Sequence, residues 1–472
     1  MLPAPIRIVA GASVVLFVSS AAQAGGFHIR GYSTTGLGAA FAGIAAGNYL
    51  SSVFANSAGI SVVEGFEAEI DGTLIVTDSQ ISGTATFEPV PPLNAPPPFG
   101  LGSNVPLSFL NPNGGDFVGP AFIPAMYAGF PLNDRLKVGF GFTGQFGLVT
   151  KPDNGNWAGQ FEARTSELRT YNFNPVASYG LTPTLTLGAG AQIQFADATL
   201  KSAFPNLGAF LALGVDPFLT PNQALVDAFG GANPNLVIDG DDFGFGYTLG
   251  FLWHPLSGTD IGLGFRSSIE HTLEGDIAVA RLSALGSAKT STDLETPAIA
   301  TASVRQRLSE RLTLLGTVQW TNWSDLNQVV VKARSTNPNL GAVAGSPVAV
   351  IPLNWHDGWL FSGGLEYEVS ERTTIRSGVA YEESPIQHAV ERSARLPDTN
   401  RIWLSVGATR NISAATTLNL AYSHVFFEDG SIDRTTEFPV GDIRLLGRAE
   451  QDVDVFAVSV NIKFGGVERS MK

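Results

Sequence analysis

Past the N-terminal region, the side chains able to do acid–base chemistry are His254, His271, His356, His388 and His424, set among many scattered carboxylates. A hydrolase built on a sheet would need Ser, His and an orienting amide or carboxylate together on one face. None of the five histidines shares a motif with a serine, so each reads as a loop or interfacial residue and the chain reads as a non-enzyme. The sequence has no cysteine, which removes thiolate nucleophiles, thiolate metal sites and disulfides. Asp239, Asp241 and Asp242 carry the oxygens a Ca²⁺ site needs, but a solvated acidic turn is the simpler reading, and no metal or cofactor is assigned. With 28 Lys+Arg against 42 Asp+Glu the formal charge is −14, which argues against nucleic acid as a partner.

What remains is a non-covalent role, and composition points to its setting. Charged residues are 15% of the 472 where about 25% is usual, and glycine, at 53, is in excess. Beyond the first twenty-odd residues no continuous apolar stretch is long enough for a spanning helix. The N-terminus itself reads as an export signal. Arg7 supplies the positive region, Ile8 to Val18 the apolar core and Ala22-Gln23-Ala24 the cleavage site, so the mature chain is expected to start at Gly25.

The elements that follow are strands. In Leu185–Phe195 the residues Leu185, Leu187, Ala189, Ala191, Ile193 and Phe195 share one face, opposite Thr186, Gly188, Gly190, Gln192 and Gln194. The last segment is the cleanest, with Phe456, Val458, Val460, Ile462 and Phe464 alternating with Ala457, Ser459, Asn461 and Lys463. Low charge and short polar turns such as Leu132-Asn133-Asp134-Arg135 put the greasy face against lipid, where only a closed barrel or a helix pairs every backbone group. About fourteen segments fit this pattern, near 66–77, 121–131, 136–148, 168–180, 185–201, 242–254, 260–278, 292–308, 312–332, 357–369, 373–386, 401–411, 416–428 and 450–464. Short turns alternate with long connections at about 78–120, 202–241 and 333–356, predicting a periplasmic and an extracellular end. Trp157, Trp253, Trp320, Trp323, Trp355, Trp359 and Trp403 are expected to serve partly as interfacial girdle residues. The fold class is therefore all-β, an antiparallel transmembrane β-barrel that closes on itself and is expected to be monomeric.

Two segments do not read as strand. The prolines from Pro89 to Pro106 predict an extended surface loop. The 202–241 connection carries Phe204, Phe210 and Leu211, then Thr220-Pro221 as cap and first position of a helix over Ala224, Leu225, Ala228 and Phe229. It reads either as a self-packed loop or as a docking surface for a hydrophobic solute. Residues 31 to 63 contain no charge and many small residues, which suits a plug inside the lumen. The organisation expected is signal peptide 1–24, hatch 25–63, barrel 64–464 and a short tail 465–472. That uncharged plug and the apolar loop also argue against a general porin, the alternative reading.

Several stretches in order carry a family likeness. They are Gly26-Phe27-His28 through Gly36 to Gly43, Phe146-Gly147-Leu148, Gly246-Tyr247-Thr248-Leu249-Gly250, Ile261 to Ser267 ending in Leu273-Glu274-Gly275-Asp276, Trp320-Thr321-Asn322-Trp323-Ser324, Arg376 to Tyr381 with Ser384-Pro385, and Leu396-Pro397-Asp398-Thr399-Asn400-Arg401. Together they resemble the FadL/TodX family of outer-membrane transporters for hydrophobic compounds, over almost the whole mature chain. The resemblance implies a fourteen-stranded barrel plugged by the hatch, in the outer membrane of a Gram-negative bacterium, with lipid and lipopolysaccharide around it. A hydrophobic small molecule, a long-chain fatty acid or a hydrocarbon, would be captured outside, passed to an internal pocket and released sideways where the third strand kinks.

By that resemblance the ligand contacts are Phe27, Phe204, Phe210 and Leu211, with Lys201 and Lys332 as the basic residues for a carboxylate. The gate residues are Asn56, Ser57 and Ala58 of the hatch with Gly139, Gly141, Gly144 and Gly147 of the third strand. The sequence departs from the family at Ser57, where proline is usual, and at the end, where Gly465 to Lys472 follow the aromatic Phe464.

Overall fold

The computed structural model describes residues 25–91, 104–206, 221–230, 233–438 and 440–464. The expected signal peptide, Phe210, Leu211, the prolines from Pro92 to Pro98 and the tail after Phe464 lie outside them.

Fourteen antiparallel strands close into one barrel. They are β1 (Phe66–Pro89), β2 (Ala121–Pro131), β3 (Leu136–Thr143, then Gly147–Thr150), β4 (Thr165–Thr182), β5 (Leu185–Ala203), β6 (Asn235–Leu256), β7 (Thr259–Arg266, then Ile269–Val279) and β8 (Ser287–Thr296, then Ile299–Arg307). They continue as β9 (Leu312–Thr321, then Gln328–Ala333), β10 (Pro347–Pro352, then Gly358–Ser370), β11 (Thr373–Glu382), β12 (Arg401–Asn411), β13 (Thr416–Phe427, then Gly430–Thr436) and β14 (Gly441–Phe464). Closure is between first and last, in unbroken register from Phe66 opposite Phe464 to Pro89 opposite Gly441.

The alternation read from the sequence acquires its direction here. Along β14 the residues Phe456, Val458, Val460, Ile462 and Phe464 are exposed, as are Phe243, Phe245, Tyr247 and Leu249 of β6. Asn172, Gln192, Gln194, Arg305, Gln319 and Ser405 are buried in the lumen instead. Apolar outside and polar inside is the reverse of a water-soluble sheet and suits a lipid surround. One set of turns is short and locally hydrogen-bonded: Asn133 Oδ1 accepts from Arg135 N at 3.0 Å and Leu136 N at 2.8 Å, and Ser413 Oγ accepts from Ala415 N at 3.1 Å.

Three expectations are corrected. Strands at the long-loop end run further than the lipid-facing pattern, because a ladder persists wherever its backbone groups pair. β1 and β14 are 24 residues each, roughly twice the ~10 that cross a bilayer. Asp239, Asp241 and Asp242 consequently sit within β6, not in a turn, and Asp242 Oδ2 accepts from Thr272 N at 2.9 Å. Second, among the tryptophans Trp253 and Trp359 are exposed on the outer wall, but Trp157, Trp323, Trp355 and Trp403 are buried inside. Third, the described part of the apolar loop packs on β1 and on the connection from β3 to β4 as well as on itself. Helix Pro221–Phe229 starts on the expected proline and buries Leu225, Ala228 and Phe229, the last with its ring 5.1 Å from Phe87 and 5.2 Å from Phe161.

Residues 25–63 fill the lumen as a short helix, α1 (Thr34–Leu37), and 3₁₀ turns at Ile44–Ala46, Leu50–Phe54 and Ser57–Val62. Glycines of the wall make the space. A Cβ on Gly262 would lie 1.9 Å from Ala45 O, and one on Gly264 1.7 Å from Ala55 O. Polar wall residues hold the segment: Asp71 accepts from Thr34 N at 2.7 Å, Glu69 from Ser51 Oγ at 2.9 Å, and Arg30 donates to Glu382 Oε1 at 2.7 Å and Gln319 Oε1 at 2.9 Å.

Candidate ligand cavity and gate

Above this plug, toward the long loops, lies a cavity of about 130 Å³. Strands β3 to β10 supply aliphatic side chains, Leu148, Leu168, Leu200, Leu273, Leu294 and Val331 among them, because their inward positions there carry leucine and valine in place of the polar groups lower down. Phe27 of the plug forms part of the lining, and Trp355, Ile386 and Leu396 come from the loops. Phe27 is fixed by aromatic packing, its centroid 4.6 Å from Trp323 and 5.8 Å from Phe146.

Arg395 is the one cation in this lining. Its Nη1 donates to Ser166 Oγ at 3.2 Å, and among the described residues no carboxylate lies within 4.0 Å of it. Glu162, the nearest acidic influence, is already taken by Ser393 Oγ at 2.6 Å, Ala394 N at 3.2 Å and Arg434 Nε at 3.3 Å. Burial pulls the Arg395 guanidinium down to about 10, which leaves it charged at neutral pH. A carboxylate entering the cavity would meet an unpaired cation in a lining that is mostly apolar but also carries Glu167 and Asp239.

The wall beside Phe27 is interrupted. β2 pairs with β3 from Pro131 opposite Lys137 only as far as Ala125 opposite Thr143, and beyond the break Gly147–Thr150 pairs with β4 alone. Plug backbone takes the missing partner's place: Gly147 N donates to Phe27 O at 2.8 Å and Ile29 N to Gln145 O at 2.9 Å. A second cavity of about 30 Å³ opens at this break, lined by Ile29, Ile123, Phe142, Gly144, Phe146 and Gly147. Leu168 lines both cavities, with Phe27 in the lining of the first and Phe146 in that of the second.

Of the residues picked from the sequence, Phe27 lines the cavity, whereas Phe204 and Lys201 are half-buried outside its lining and Lys332 is exposed on the far face from Val331. Gly144 and Gly147 line the opening at the break. A Cβ at Gly139 would meet Ile60 of the plug at 2.6 Å and one at Gly141 the Tyr127 ring at 3.1 Å, so these two make room for neighbours. Asn56, Ser57 and Ala58 pack on β5 and β6, away from the break: Asn56 Nδ2 donates to Phe251 O at 2.9 Å and Ser57 Oγ to Thr248 Oγ1 at 2.6 Å. Arg395 was not found from the sequence, since a loop has no periodicity to assign its direction; its one signal is that it immediately precedes the Leu396–Arg401 motif. His254, His271, His356 and His424 bond to carboxylates or an amide, as in His254 to Asp260 at 2.6 Å and His271 to Gln194 at 3.0 Å.

Residues 15–464 match the family model of outer membrane protein transport proteins, OMPP1/FadL/TodX. The chain belongs to this family. It is accordingly a multi-pass β-barrel of the Gram-negative outer membrane, in a family that transports hydrophobic compounds. A long-chain fatty acid transport protein of Salmonella typhi is 26% identical, with 88% of this chain and 90% of the relative covered. Among solved structures, a FadL homologue of Pseudomonas aeruginosa superposes with a TM-score of 0.78 at 24% identity, over 93% of this chain and all of that one. The Pseudomonas putida toluene transporter TodX superposes with a TM-score of 0.61 at 16% identity, over 93% of this chain and 100% of that chain.

Proposed function

We propose that this protein takes up hydrophobic molecules with an acidic head, of the long-chain fatty-acid class, and delivers them sideways into the membrane. It acts by binding and release without covalent chemistry. The solute meets the apolar loops on the extracellular side, enters the cavity lined by Phe27 and Leu168, and sets its carboxylate against Arg395. Displacement of Phe27 and Ile29 then joins the cavity to the opening at Gly144–Gly147. Apolar surface is worth about 25 cal/mol per Å² out of water, so a dry path to lipid avoids the resolvation a water-filled pore would impose. The observation that carries this reading is Phe27, which lines the cavity with its ring while its carbonyl caps the interrupted strand at Gly147.

The acidic head is tested with Arg395→Met in purified protein. Oleate should bind more weakly by more than the 0.2–1 kcal/mol of an exposed ion pair, about fivefold or greater, while methyl oleate is little affected. Equal losses for acid and ester would reduce Arg395 to a packing role and leave a neutral hydrocarbon as the solute.

A further inference from the structure

Three side chains outside the transport path converge on the rim of the loops. His356 follows Trp355 in the connection within β10, and His388 and Glu391 lie in the connection from β11 to β12. One ligand atom from each lies within 4.8 Å of the other two. The His356 Nε2 to Glu391 Oε1 distance is 3.4 Å, and the imidazole rings of His356 and His388 are 6.2 Å apart. Bonds of about 2.0–2.1 Å in a tetrahedron place ligand atoms roughly 3.3–3.4 Å apart, so the first pair already has the spacing and His388 needs a small approach.

The carboxylate is aimed. Glu391 Oε2 accepts from Gln387 N at 3.2 Å and His388 N at 3.1 Å, which leaves Oε1 for a bond on the other side. His356 N donates to Pro385 O at 2.9 Å, tying the two connections together beneath the cluster. Both imidazoles are solvent-accessible, which gives an ion an entry path.

From this geometry we propose that His356, His388 and Glu391 form a site for a divalent transition metal of the Zn²⁺ class, with water completing the shell. Two imidazole nitrogens and one carboxylate favour Zn²⁺ over Ca²⁺ or Mg²⁺, which take mostly oxygen ligands. A bound ion would brace Trp355 and Ile386, both in the cavity lining, from outside.

The test uses the full chain in detergent, purified without a polyhistidine tag. Zn²⁺ titrated by calorimetry should bind at one equivalent, and His388→Ala and Glu391→Gln should each weaken it by about tenfold or more. His424→Ala should leave it unchanged. In the unaltered protein, Zn²⁺ should also protect His356 and His388 from diethylpyrocarbonate, read by mass spectrometry, which keeps the test independent of variant folding. Binding that persists in both variants, or unprotected histidines at saturating Zn²⁺, would overturn the site.

Discussion

The guanidinium of Arg30 lies 2.7 Å from the carboxylate of Glu382, with each side chain only 3% exposed, and it joins the plug to β11 across 352 residues of sequence. Glu382 is held on its other oxygen by Trp403 Nε1 at 2.9 Å. The plug is thus anchored to the wall by a buried ion pair whose wall member keeps a second partner.

Removing one member of a buried pair costs about 3–5 kcal/mol. Because Glu382 retains Trp403, the loss in Arg30→Met should fall on the plug and not on the strands. The barrel should keep its heat-modifiable mobility in gel electrophoresis while ion conductance in planar bilayers rises. Unchanged conductance would mean that aromatic packing on the wall, such as Phe41 against Trp403 at 5.9 Å, seats the plug unaided.

Glycines at the break and under the plug should behave differently on substitution. At Gly144 the nearest atom to an added Cβ is Thr170 O at 3.5 Å, so phenylalanine can enter the small opening without breaking the wall. Gly144→Phe is expected to stop uptake in cells while oleate binding to purified protein persists. Gly264→Val has no such space, with Ala55 O at 1.7 Å, and should unseat the plug and open an ion conductance. Normal uptake by Gly144→Phe would move the exit to the periplasmic end.

Ser57→Pro should be nearly silent. Position 57 is the first residue of a 3₁₀ turn, Asn56 before it is extended at φ −154° and ψ 111°, and proline tolerates both conditions. The change gives up the Ser57 hydroxyl bond, about 0.5–1.5 kcal/mol, and recovers about 0.4–1 kcal/mol by stiffening the unfolded chain. Thermal unfolding followed by circular dichroism should shift by no more than a few degrees. A large loss would show that the Ser57–Thr248 bond is the anchor of that corner.

His28 should make the plug pH-sensitive. It is buried beside the break, its Nε2 has no hydrogen-bond partner, and burial followed by the charge of Arg30 holds it well below the usual 6.5. The packed state therefore binds fewer protons than the released one between that lowered value and 6.5, so packing is fully favoured above 6.5 and weakens as pH falls below it. Bilayer conductance should increase from pH 7.5 to 5, and His28→Phe should flatten the dependence. An equally steep response in the variant would assign it to other groups.

Much of this molecule is legible from the chain itself because a lipid-facing strand must alternate at every second residue. Phe456 to Phe464, the short turn at Asn133 and the helix start at Pro221 are local signals with local causes. The uncharged run from Gly31 to Val63, rich in small residues, likewise points to a plug, since charge is costly in a crowded lumen. Partners distant in sequence were another matter. Nothing local pairs Arg30 with Glu382, sets Gly264 against Ala55, or brings His356 to Glu391. The family resemblance points to Lys332 by its motif position, yet it is the neighbouring Val331 that faces inward, and one step of a strand reverses the face. Arg395 and the Phe27–Gly147 bond come from a loop and from a strand's interruption, where no period operates. Sequence fixes which face of a strand is greasy; only the closed barrel decides what those faces enclose, because burial and pairing are properties of the assembled wall.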